Sequence, residues 1–280
     1  MRDCLLHIDT YSEPTQAAAI EQAVGFAGLI GARITGLAAH INISVPRNWL
    51  AEKLLDVSRL AQTEEDKSLR NAKLSLDIMA QSASRSGVIQ DGRICRASLT
   101  GVGLSMAQSA RTRDLSLICI SSPADNARSV AEEVIFASGR PVLVFHPERA
   151  PLPQESLGCV VIAWDGSRWA ARAVNDALPV LRRAREVRIL TVVGEKTSAT
   201  SGLGADLVRH LHVHGIQAVT DEAPAEGRTV GASFDAYCEQ RKPDLMVMGA
   251  YGSSRLKEFF LGGATEHILN DGRVAAILSH

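Results

Sequence analysis

The stretch from Gly249 to Thr265, reading GAYGSSRLKEFFLGGAT, holds the residues best suited to chemistry. It follows the apolar run Leu245-Met246-Val247-Met248 and leads into an amphipathic run ending near Asn270. Gly249 and Gly252 form one glycine pair and Gly262 and Gly263 a second, between an expected strand and an expected helix. Glycine lets a backbone approach phosphate oxygens closely and take positive φ. Successive N–H groups in such a loop, beside the start of a helix, make a site for an anion. The loop lacks the Lys-Ser/Thr ending of a P-loop and the GxGxxG spacing of a dinucleotide fold.

Other candidates are weaker. His210 and His214 are four apart and would share a helix face at a metal-ligand spacing. They stand at an expected helix end before Gly215, where histidine favours the dipole, and no Cys or carboxylate partner is near in sequence, so no metal site is expected. Gly202-x-Gly204 and Gly101-x-Gly103 lack a third glycine and read as loops. Ser121-Ser122 has no nucleophile elbow around it. Arg255, Lys257 and Arg273 are candidates to screen phosphate charge or to form a solvated face. Five cysteines, at 4, 95, 119, 159 and 238, make an odd count with no CxxC pair. They read as reduced, mostly buried thiols.

These groups must be positioned by elements, and the elements repeat. Cys4-Leu5-Leu6-His7-Ile8-Asp9 and Cys159-Val160-Val161-Ile162-Ala163-Trp164-Asp165 are both apolar strands running to an aspartate. Asp114-Leu115 and Asp244-Leu245 each begin another apolar run, and Gly139-Arg140-Pro141 and Gly272-Arg273-Val274 each lead into a last one. A proline-rich stretch near Pro147–Pro153 separates the halves. The expected division is a degenerate domain over 1–147, a linker over 148–157 and a nucleotide-loop domain over 158–280. In the second half strands are expected near 159–163, 187–193, 216–220, 245–248 and 274–278, with helices near 168–183, 202–214, 229–241 and 264–270. Continuous apolar runs mark strands buried on both faces of a parallel sheet. Alternation of strand and helix gives an α/β fold of two Rossmann-like, doubly wound domains. Ligands in such sheets bind beyond the strand carboxyl ends where strand order reverses, which brings Asp165 and Gly249 to one crevice.

The first half departs from the plan twice. Residues 49–84 carry a long helical pattern whose Leu50, Leu54, Leu55, Val57, Leu60, Leu69, Leu74, Leu76 and Met79 suit one or two helices lying on the protein. Cys119-Ile120-Ser121-Ser122-Pro123-Ala124-Asp125 stands where the glycine loop should be, so the first half is expected to have lost any phosphate site.

Taken together, these residues resemble a tandem universal stress protein. Its nucleotide-binding members carry G-x2-G-x9-G-(S/T) after the fourth strand. Gly249, Gly252 and Gly262 match that pattern, Gly263 stands where Ser or Thr is usual, and Thr265 supplies a nearby hydroxyl. The resemblance implies a five-stranded α/β domain binding ATP, ADP or AMP. In it Asp165 faces the ribose or a magnesium ion, Val192 contacts adenine, Met248 precedes the loop, and Ala163, Trp164 and Ala264 complete the set. It also implies edge-to-edge pairing of the last strands, Val142–Phe145 with Ala275–Leu278, as an internal pseudo-dimer; further association into a homodimer stays open.

Hydrophobic content of 46%, charged content of 22% and a net charge of −1 fit a globular chain with no basic surface for nucleic acid. No apolar run approaches a membrane span, and Met1-Arg2-Asp3 does not open a signal peptide, so a cytoplasmic location without membrane contact is expected. The leading expectation is a nucleotide-binding stress regulator or sensor rather than a catalyst. The alternatives are a scaffold without nucleotide, or a slow ATPase or other enzyme of the adenine nucleotide α-hydrolase class. The latter needs Ser-Gly-Gly-x-Asp-Ser or His-x-Gly-His after an early strand, and neither follows Ile8 or Ala163.

Overall fold

The continuous Val/Ile/Leu runs form strands and the alanine-rich runs between them form helices. A computed structural model describes residues 1–44, 57–121, 126–194, 201–250 and 263–280. The first half runs β1 (Asp3–Ile8), α1 (Ala17–Leu29), β2 (Arg33–Ile41), α2 (Val57–Ser86), β3 (Gln90–Ala97), α3 (Val102–Ala110), β4 (Leu115–Cys119), α4 (Asn126–Ala137) and β5 (Val142–Phe145). The second runs β6 (Cys159–Ala163), α5 (Arg168–Leu181), β7 (Glu186–Val193), α6 (Ala205–Val213), β8 (Ala218–Pro224), α7 (Val230–Arg241), β9 (Leu245–Gly249), α8 (Gly263–Asp271) and β10 (Ala276–Ser279). Every element expected in the second half is present, with ends shifted by a few residues.

All ten strands join one sheet in the order β3-β2-β1-β4-β5-β10-β9-β6-β7-β8. Pairing is parallel within each half. The halves meet antiparallel at β5 and β10, with Leu143 opposite Ile277 and Val144 opposite Ala276. This is the edge pairing that the sequence resemblance implied. It covers two apolar edges that would otherwise template aggregation. Side chains alternate across the sheet. Leu6 and Ile8 pack with α1, α2, α5 and α6 on one face. Leu5, Met246 and Leu278 pack with α3, α4, α7 and α8 on the other.

The repeated aspartates have a structural duty. Asp114 Oδ2 accepts from the backbone N–H of Arg2 at 2.6 Å and of Asp3 at 3.2 Å. Asp244 Oδ2 does the same for Gly158 at 2.6 Å and Cys159 at 2.8 Å. Each carboxylate ties the start of its fourth strand to the start of its first, satisfying N–H groups that begin the ladder.

The proline-rich segment packs against the first half. Leu152 and Leu157 are buried, and Gln22 of α1 accepts from Leu152 N and donates to Pro147 O. One expectation needs correction: in α2 the leucines supply only part of the packing face. Leu60 and Leu74 are 62% and 60% exposed, whereas Leu76 is partly buried against the core and Ser68, Ala72, Ser75, Met79, Ser82 and Ala83 are buried. Small side chains let the helix backbone approach the sheet closely, and the Ser68 hydroxyl is satisfied there. Leu50, Leu54 and Leu55 lie outside the described residues.

Candidate functional site

Strand β6 ends beside β9, with Ala163 opposite Met248. The order reverses at this point, because β7 continues on the far side of β6 and β10 on the far side of β9. Asp165 and Gly249 therefore leave the sheet from neighbouring strand ends, as the crevice rule requires. Asp165 Oδ1 accepts from Ser167 N at 3.0 Å, across Gly166 at φ +71°. Such a left-handed turn suits glycine. Ser167 then caps α5, its Oγ accepting from Ala170 N at 3.1 Å. The aspartate is thus fixed in direction by the turn that starts the helix.

Gly249 is confined from the other side. A Cβ placed on it would stand 2.6 Å from Ala170 N and from Trp169 C. Only a residue without a side chain lets β9 end this close to the first turn of α5. Packing therefore demands glycine here, independently of any ligand.

The remaining expected residues fall around this point. Val192 and Met248 are buried at the ends of β7 and β9, and Ala163 is half-buried between them. Gly263 begins α8, followed by Ala264 and the buried Thr265. These three residues form the first turn of the helix, where N–H groups have no intrahelical acceptor. Among the described residues a Cβ at Gly263 would meet nothing within 4 Å. Gly252, Gly262, Arg255 and Lys257 lie outside the described residues. Trp164 is half-buried against the α5 and α6 face and donates its indole N–H to Leu203 O at 3.2 Å. Its polar edge is used by the protein itself.

Sequence reasoning missed His280 and Phe136 near Gly249. His280 Nδ1 lies 3.2 Å from Ala250 O, its ring 4.9 Å edge-on from Phe136 and 6.3 Å from Trp169. The Arg168 guanidinium lies 4.4 Å over Trp169. Arg273 is taken by Glu239 and Asp235 of α7, which leaves it a surface ion-pair role. Arg128 of α4 contacts Asn270 and approaches Glu266 of α8 at 3.9 Å, bridging the two halves.

Among the other candidates, the His210 and His214 rings meet edge-on at 4.8 Å, and Arg182 lies 3.2 Å from His214 Nδ1. Among the described residues no group of three His, Cys, Asp or Glu is arranged to hold a metal. All five cysteines are free. Burial, with Asp114, Asp3 and Asp235 adding to it, pushes Cys4 and Cys238 up to about 12, so neither is a ready thiolate. No helix among the described residues is long and apolar enough to cross a membrane.

No family model and no curated protein matches the chain. Solved structures do. A universal stress protein from Archaeoglobus fulgidus DSM 4304 superposes with a TM-score of 0.69 at 17% identity, covering 98% of this chain and 97% of that one. A candidate universal stress protein from Pseudomonas aeruginosa UCBPP-PA14 gives 0.55 at 12% identity, covering 100% and 93%. A functionally unknown protein from Pseudomonas aeruginosa PAO1 gives 0.54 at 11%, covering 98% and 92%. Over 98% of its length, the chain has the universal stress protein fold, built twice in succession along one continuous sheet.

Proposed function

We propose that the chain is a tandem universal stress protein that binds an adenine nucleotide, ATP foremost, in the crevice of its second half and acts as a regulator or sensor of stress in the cytoplasm. The observation that carries this reading is the β6–β9 register, which sets Asp165 and Gly249 on adjacent strand ends. Support comes from the start of α8 at Gly263, where the helix dipole favours an anion. Among the described residues nothing stands within 4 Å of a Cβ placed on Gly263, which is compatible with a phosphate group at that turn. The proposed ligand set is Ala163, Trp164, Asp165, Val192, Met248, Gly249, Gly252, Gly262, Gly263, Ala264 and Thr265. The proposed boundaries remain 1–147, 148–157 and 158–280.

A bound polyphosphate would bring its own magnesium. Asp165 is the carboxylate that would hold the ion, which would help to neutralise the phosphate charge. The chain's own part is positional: Asp165 is held by its turn, and main-chain amides face the anion.

Mass spectrometry of denatured, freshly purified protein should reveal co-purified ATP, ADP or AMP. Calorimetric titration with ATP and magnesium should show binding that Gly262→Asp abolishes. Unaltered affinity in that variant would sink the site.

A further inference from the structure

The first half was expected to have lost its phosphate site, yet its crevice is open. A cavity of about 690 Å³ lies between the ends of β1 and β4. That volume falls in the range of small-molecule sites, roughly 300–1,000 Å³. Its floor and mouth are formed by Asp9, Tyr11 and Glu13 after β1, and its apolar wall by Leu74 and Ile78 of α2 with Leu99.

The wall comes from the helix that distinguishes the two halves. α2 has 30 residues, whereas α6, its counterpart in the second half, has nine. It is anchored at the crevice itself. Ser68 Oγ lies 2.9 Å from Thr10 Oγ1, and Asn71 Nδ2 donates to Thr10 O at 3.0 Å. This docking holds Leu74 over the cavity with 60% of its surface uncovered by protein. An apolar side chain on a cavity wall, held there by a buried polar anchor, is surface suited to a ligand's apolar body.

The charge of the lining selects the other end of the ligand. Among the described lining residues there is no Lys, Arg or His, while Asp9 and Glu13 bring two carboxylates. Asp9 Oδ1 accepts from Thr10 N at 2.9 Å, which orients the group at the strand end. Ionised carboxylates only accept hydrogen bonds. They repel phosphate and favour a head group that donates.

We propose that the first half carries a second ligand site, for a small amphipathic molecule with an apolar body and an amine or hydroxyl head. Duplication has thus left two crevices of the same descent with opposite charge preference: one for a polyanion, one for a donor.

The test is calorimetric titration of the full chain with n-octylamine, n-octanol and n-octanoate, each below its aggregation concentration. Octylamine should bind at least tenfold tighter than octanoate, with octanol between. Leu74→Arg fills the wall with a cation and should weaken octylamine at least tenfold at an unchanged melting temperature, since Leu74 is exposed. Asp9→Asn keeps the Oδ1 acceptor for Thr10 N and should erase the preference for amine over alcohol. Gly262→Asp should leave octylamine binding intact, which separates this site from the nucleotide reading. Absent binding of amine and alcohol, equal binding of all three probes, or unchanged binding in Leu74→Arg would each overturn the proposal.

Discussion

Thr10 Oγ1 and Ser68 Oγ meet at 2.9 Å with both residues fully buried, and this contact joins α2 to the carboxyl end of β1. Ser68 Oγ also accepts from Ile41 N at 3.0 Å and reaches Ala39 O at 3.2 Å. One hydroxyl thus serves the ends of β1 and β2 together. Ser68→Ala would leave the Ile41 N–H buried without its acceptor, a loss of about 1–3 kcal/mol. Urea denaturation should show that decrease with the slope unchanged. Leu60→Ser, on the exposed side of the same helix, should change stability by about 0.5 kcal/mol or less. Equal effects from the two substitutions would mean that the hydroxyl network does not hold the helix.

His7 gives the protein a pH dependence. It is 2% exposed on β1 and, among the described residues, its Nε2 has no hydrogen-bond partner. Burial lowers its pKa from 6.5 to about 4. In the unfolded chain the ring takes up its proton below pH 6.5, while in the folded chain it stays neutral down to about 4. Between these values the unfolded state binds more protons, so stability falls as pH drops from 6.5 to 4 and the contribution then levels off. The shift corresponds to about 3 kcal/mol. His7→Leu should remove this component, read as the difference between wild-type and variant denaturation midpoints across pH 4 to 7. Parallel profiles would contradict it.

The junction of the halves is equally testable. Leu143 and Ile277 face each other across the antiparallel pair, and both are wholly buried in one apolar cluster containing side chains of α1 and α5. Ile277→Ala removes buried methyl groups from the centre of the sheet and should cost about 2–5 kcal/mol. Because the cluster is continuous, the loss should lower amide-exchange protection in β1 and β4 as well as in β6 and β9. A loss confined to the second half would show that the halves are energetically separate.

The fold was legible because the central strands are buried on both faces, so β1, β4, β5, β6, β9 and β10 read as unbroken apolar runs and the turns as Asp, Gly and Pro. The repeat was legible through Asp114 and Asp244, although their duty as anchors for the first strands needed coordinates. The packing of α2 was not legible. Leucines such as Leu60 and Leu74 look like a core stripe, and Ser68 and Ser75 look like a solvated one, but close approach to the sheet favours the small residues. The same inversion hid the first-half cavity, whose wall depends on where α2 docks. At the second crevice, the adjacency of Asp165 and Gly249 followed from the strand pattern and the rule for strand carboxyl ends. The steric need for glycine at 249, against Trp169 and Ala170, depends on a helix–strand approach that no spacing encodes.

Gly263 offers a gain-of-function test of the nucleotide reading. It occupies the position where the resembling loop carries Ser or Thr, and it opens α8. Among the described residues a Cβ there would meet nothing within 4 Å, so a serine side chain can be added without moving them. Serine is also favourable near a helix start, where its oxygen can take up a free N–H. If a phosphate lies at this turn, the new hydroxyl donates to it, and a hydrogen bond to a charged group contributes about 1.5–3 kcal/mol. Gly263→Ser should therefore tighten ATP binding by roughly one order of magnitude or more, while Gly263→Ala, with a methyl and no donor, should not. Calorimetry with ATP and magnesium distinguishes them. Equal affinities for the serine and alanine variants would place the phosphates elsewhere than at the first turn of α8.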